Sequence, residues 1–145
     1  KEYSTMFNRP LYYEKIKPCM RKPFIKIISG ILRCGKSTMM LTIQQLMVDE
    51  DVERKQIISI NFESMKCYHL RTSIALYEYV SELVKTMESP AYLFFDEIQI
   101  VKDWEEAVNS LFLAFAIEDM DNLSLAQDTH ALGTGKRIFF YLAIG

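Results

Sequence analysis

Hydrophobic residues along this chain fall into runs and stripes of different period, and the periods predict its elements. Phe24-Ile25-Lys26-Ile27-Ile28-Ser29 is a short β-rich run. Met39, Met40, Ile43, Leu46 and Met47 then recur at helical spacing. Residues 48–55 form a polar connection, and residues 56–62 return to a β-rich run. Leu70, Ile74, Tyr77, Val80, Leu83, Val84 and Met87 trace one stripe of a helix, closed by Ser89-Pro90. Ala91-Tyr92-Leu93-Phe94-Phe95 is apolar without interruption, the pattern of a parallel strand buried on both faces. Trp104, Ala107, Val108, Leu111, Phe112 and Phe115 mark a further helix, and Asp103-x-x-Glu106 resembles a capping box at its start. Upstream, residues 9–17 predict a short helix with Pro10 near its first turn. Downstream, residues 138–144 are a candidate for another buried strand.

The order β-α-β-α-β-α argues for a parallel sheet flanked by helices. The segment joining the first strand to the first helix adds chemistry to that frame. Gly30-Ile31-Leu32-Arg33-Cys34-Gly35-Lys36-Ser37 reads G-x-x-x-x-G-K-S, a phosphate-binding loop, with Thr38 behind it. Glycines at 30 and 35 let successive N–H groups turn inward toward phosphate oxygens. The helix behind them adds its positive end to the same anion. Lys36 has the reach for β/γ-phosphates, and the Ser37 hydroxyl suits Mg²⁺. The bland alternative is an ordinary glycine turn followed by a lysine. The strand–loop–helix context is what the motif demands. Gly30, Ile31, Leu32, Arg33, Cys34, Gly35, Lys36, Ser37 and Thr38 are therefore the candidate nucleotide-binding residues.

The buried run from Ala91 ends in Asp96-Glu97. Carboxylates at the C-terminal end of such a strand lie where α/β proteins bind ligands. Asp96 is the candidate metal residue alongside Ser37, the Walker B role. Glu97 is the candidate base for an attacking water, and with Lys36 it forms the candidate catalytic pair. An acidic turn that merely ends a strand is the alternative. One strand lies in chain order between the phosphate loop and the Asp96 strand, which places the chain among additional-strand P-loop ATPases. The expected fold is α/β, a P-loop NTPase with three α/β/α layers and a mostly parallel sheet in AAA-like order.

Composition narrows the partners. The 145 residues, half of them hydrophobic, suffice for one core. Net charge is −2, from 17 basic and 19 acidic residues, which gives nucleic-acid binding no support and leaves it open. Residues 15–22 are locally basic and fit a solvated linker or a basic patch. Cys19, Cys34 and Cys67 form no C-x-x-C pair, and their odd count suits a reducing cytoplasm. No stretch reads as a signal peptide or a membrane span.

Three segments together resemble a known family. Residues 25–38 resemble I-K-V-I-T-G-x-R-R-C-G-K-S-T, Ile60-Asn61-Phe62-Glu63 resembles I-N-F-E, and Tyr92-Leu93-Phe94-Phe95-Asp96-Glu97-Ile98-Gln99 with Trp104-Glu105 resembles Y-L-F-L-D-E-I-Q followed by W-E. This is similar to the fourteenth AAA family, bacterial and archaeal ATPases usually followed by a C-terminal domain. The resemblance spans about residues 9 to 115. It implies an ATP-binding core with Lys36, Ser37, Asp96 and Glu97 in the roles above, ATP or ADP and Mg²⁺ as ligands, and a homo-oligomer, since AAA relatives often form rings. Leu32 departs from the family's first Arg, and the likeness fades beyond Phe115, where the family carries a γ-phosphate sensor and a candidate arginine finger. The chain then divides into a helical lead-in, 1–23, and a P-loop ATPase core, 24–145, incomplete at its C-terminal end. The expected function is Mg²⁺-dependent ATP binding and hydrolysis coupled to an unknown partner in the cytoplasm. A nucleotide-binding module without significant hydrolysis is the alternative, and a P-loop small-molecule kinase the third reading.

Overall fold

Among the described residues, four parallel strands share one sheet whose order in space differs from its order in the chain. They are β1 (Ile25–Ile28), β2 (Ile57–Asn61), β3 (Ala91–Asp96) and β4 (Ile138–Ala143), arranged β1-β4-β3-β2. The structure is a computed structural model that describes residues 25–28, 33–117 and 138–145, with the backbone alone for residues 33, 34, 116 and 117. The helix expected at 9–17 and residues Gly30, Ile31 and Leu32 of the phosphate loop lie outside the described residues.

β4 is last in sequence and lies between β1 and β3. That position accounts for its unbroken apolar sequence, because all six residues are buried between neighbouring strands and helices on both faces. Chain order alone made β2 the added strand. In space, the strand that separates the phosphate-loop strand from the Asp96 strand is β4.

The period of two sorts side chains between the faces. Tyr92, Phe94, Phe139, Tyr141 and Ala143 pack on one face with Met40, Ile43 and Met47 of α1 (Arg33–Asp49). Leu93, Phe95, Ile138, Phe140 and Leu142 pack on the other, with α2 (Ser73–Thr86) and α3 (Trp104–Leu111). Three layers result, α1, sheet, and α2 with α3. On the α1 face, Tyr92 stacks on Phe139 and Phe94 on Tyr141, at centroid distances of 5.0 and 4.6 Å, and the Lys26 ammonium lies 4.5 Å from the Tyr141 ring centroid. These rungs tie β1, β4 and β3 together across the sheet.

The helix ends differ from the sequence expectation in instructive ways. α1 runs on to Asp49 and stops in a Schellman arrangement: Val52 N donates to Met47 O at 2.9 Å and Asp51 N to Val48 O at 3.1 Å. Asp51 takes the left-handed position (φ 76°) that glycine usually fills. Val52, inside the stretch read as a polar connection, is buried against the Met47 cluster. In α2 the buried positions are Leu76, Val80, Ser81 and Val84. Ile74, expected on the stripe, is 70% exposed, because the helix starts at Ser73 and its inward face is phased on Leu76. The capping box at α3 does not form. Asp103 holds the cap position in left-handed backbone (φ 57°) and makes no side-chain cap bond, whereas capping side chains work from extended backbone.

Thr72 is the working cap in this layer, its Oγ1 accepting from Ala75 N at 3.2 Å. Thr72→Ala is expected to destabilise the fold by about 1 kcal/mol. A urea unfolding midpoint that does not move would show that the bond contributes nothing.

Candidate active site

Strand register gathers the chemistry at one edge. Asn61 pairs with Asp96, Asp96 with Ala143, and Ala143 with Ile28, so the C-terminal ends of all four strands align. This is the edge at which open parallel sheets bind ligands. α1 opens close to it in the chain. It is helical from Arg33, so Arg33, Cys34, Gly35, Lys36, Ser37 and Thr38 all stand in its first turns. Lys36 is only 5% exposed, while Ser37 is exposed.

One hydrogen bond joins the two halves of the predicted site. Ser37 Oγ donates to Asp96 Oδ2 at 3.1 Å, across 59 positions of sequence. Asp96 owes its place to β3, and its carbonyl accepts from Phe62 N at 3.0 Å. The aliphatic and aromatic residues behind it are fully buried and hold that strand end still. A hydroxyl and a carboxylate in contact are two hard oxygen donors, and the exposure of Ser37 leaves room for waters. That donor set fits Mg²⁺, which binds through one or two protein oxygens and keeps several waters.

Glu97 follows in strained geometry. Its φ of 58° and ψ of 45° are left-handed, uncommon for a residue with a long side chain. The strand reverses there into a tight turn, Ile98–Ile100, in which Ile100 N donates to Glu97 O at 3.1 Å. Ile98 and Val101 are buried in the core and anchor the reversal. Apolar anchoring beyond the turn thus offsets the backbone strain at Glu97.

Two residues with no role in the sequence reading meet this carboxylate. Gln99 Nε2 donates to Glu97 Oε1 at 2.6 Å, and Gln99 Oε1 accepts from Gly145 N at 3.1 Å. Gly145, just past β4, has no Cβ, and one built there would collide with Glu97 Oε1. Nothing in the spacing of Gln99 or Gly145 signals this, because the contact depends on β4 lying beside β3. Gly30, Ile31 and Leu32 lie outside the described residues.

Among the described residues no helix is long and apolar enough to cross a membrane. The profile of a family described as an AAA domain, the fourteenth AAA family, matches residues 22–125. A Haemophilus influenzae protein that carries only the name uncharacterized protein is 27% identical over 111 residues, which is 77% of this chain and 28% of that protein. The chain thus spans less than a third of that relative's length. No solved structure matches significantly. The profile match takes in β1 to β3 and α1 to α3, well over half of the sequence, and the chain belongs to this AAA domain family, with the parallel α/β fold of a nucleotide-binding, ATPase-type P-loop domain.

Proposed function

We propose that this domain binds ATP with Mg²⁺ and hydrolyses it, coupling turnover to a partner outside this chain's described residues. The observation that carries the reading is the Ser37–Asp96 hydrogen bond at the carboxyl edge of the sheet. It brings together two motifs that a hydrolytic site needs and that a chance pairing of motifs would leave apart.

The roles follow from chemistry. Residues from Gly30 through Thr38 cradle the phosphates with backbone N–H groups and the start of α1. Lys36 supplies a fixed positive charge to the β/γ-phosphates. Ser37 and Asp96 would hold Mg²⁺, which when bound would neutralise charge on the phosphate oxygens. Glu97 orients a water and accepts its proton as the water oxygen bonds to the γ-phosphorus. The bond from that phosphorus to the bridging oxygen breaks, and ADP departs with its electron pair. An acidic base for water favours hydrolysis over phosphoryl transfer to a small molecule, whose own hydroxyl would be the nucleophile. A cytoplasmic setting and assembly into a homo-oligomer belong to the same proposal.

Steady-state phosphate release, measured with Mg²⁺ and again with excess EDTA, tests the reading. Turnover that depends on Mg²⁺ is expected. Equal release in both conditions would remove Ser37 and Asp96 from the proposed metal site.

A further inference from the structure

We infer that Gln99 is a positioning residue for Glu97, holding the carboxylate in working orientation by tying it to the end of β4; this rests on the hydrolytic reading above. The geometry is specific. Gln99 spends both ends of its amide: Oε1 takes the Gly145 N–H at 3.1 Å, and Nε2 gives its hydrogen to Glu97 Oε1 at 2.6 Å. The backbone N–H of Gly145 can only donate, so it fixes which way the amide faces. The donor end is thereby committed to Glu97. A bond to a charged acceptor is stronger than a neutral one.

Three further features single out this contact. Glu97 sits in left-handed backbone, a strained conformation that aims its side chain at the end of β4. Gly145 lets that carboxylate approach closer than any Cβ would permit. Gln99 is itself exposed and contributes nothing to the core, so its bonds serve the carboxylate and not the packing. Gln99 engages one oxygen of the carboxylate, Oε1. Because β4 lies between the phosphate-loop strand and β3, the clamp also makes the position of the base depend on the strand beside the phosphate loop.

Two substitutions separate positioning from mere tethering. Gln99→Ala removes both bonds. Gln99→Glu keeps the reach and the acceptor for Gly145 N–H, and replaces the donor facing Glu97 with a second carboxylate. Kinetics with ATP and Mg²⁺ are measured on wild type and both variants, beside thermal melting. Each variant is expected to lower kcat by about tenfold or more, the scale of a lost hydrogen bond to a charged group. KM for ATP is expected to stay within about twofold, since the phosphate-binding residues are untouched, and melting to stay near wild type. Near-normal kcat in Gln99→Glu beside a slow Gln99→Ala would make the residue a structural tether and overturn the inference. Wild-type kcat in both variants, or an increase, would overturn it too. Absence of turnover in wild type itself would instead reject the hydrolytic reading, and this inference with it.

Discussion

Lys36→Ala is expected to weaken ATP binding by about 100-fold or more while the domain stays folded. The lysine lies in the first turns of α1 at 5% exposure, close in the chain to the carboxyl edge of the sheet. A charge-assisted hydrogen bond to phosphate at a site shielded from water contributes about 2–3 kcal/mol, which corresponds to roughly 30- to 150-fold in affinity. The electrostatic share of that energy grows as solvent is excluded, so the upper part of the range is the expectation. Alanine is the best helix former, so α1 keeps its local preference and the domain is expected to stay folded. Calorimetric titration with ATP, alongside circular dichroism melting, measures both. Unchanged affinity would mean that phosphate is bound elsewhere than at the start of α1.

Glu97→Gln is expected to reduce kcat by about 10²- to 10⁴-fold, the usual contribution of a positioned general base, with ATP binding retained. The carboxamide has the same shape, and its oxygen can still accept from Gln99 Nε2, so the strained turn at residue 97 and its anchors Ile98 and Val101 should persist. Only proton acceptance is lost. Bound ATP should accumulate in the variant where wild type turns it over, which filter binding and phosphate release report together. Turnover equal to wild type would assign water activation to another group.

Much of the architecture was legible because two periods run through the chain. The apolar run at 91–95 is a strand buried at every position, as its pattern implied, and Met40, Ile43, Leu46 and Met47 line the inner face of α1. What the pattern could not reveal was spatial order. The strand at 138–143 shows only an apolar run, and nothing in it says that it inserts between β1 and β3. It also lies beyond residues 22–125 that match the family profile.

Cap geometry escaped for a related reason. Asp103 and Glu106 have the residue types and spacing of a capping box, but the chain reaches α3 from a left-handed residue, fixed by the bridge between Thr72 and Lys102 and by Lys102 N donating to Arg71 O. Tertiary contacts there override a local preference. Leu76 falls outside the stripe phased on Ile74, because a helix rich in apolar residues permits several registers.

For the candidate site, Ser37 and Asp96 were legible as motif members, and their contact follows from the strand–loop–helix topology. The Gln99 clamp was not, since it joins two segments whose adjacency is set by sheet order. It is a contact of topology, with no period or spacing to announce it.

The most direct test of the central claim is a single-turnover experiment, with γ-labelled ATP, Mg²⁺ and the domain in excess. Conversion of the bound label to free phosphate, abolished in Lys36→Ala and slowed in Glu97→Gln, is the predicted result. ATP that binds to wild type and remains intact for hours would contradict it, and would make this domain a nucleotide-binding module in place of an ATPase.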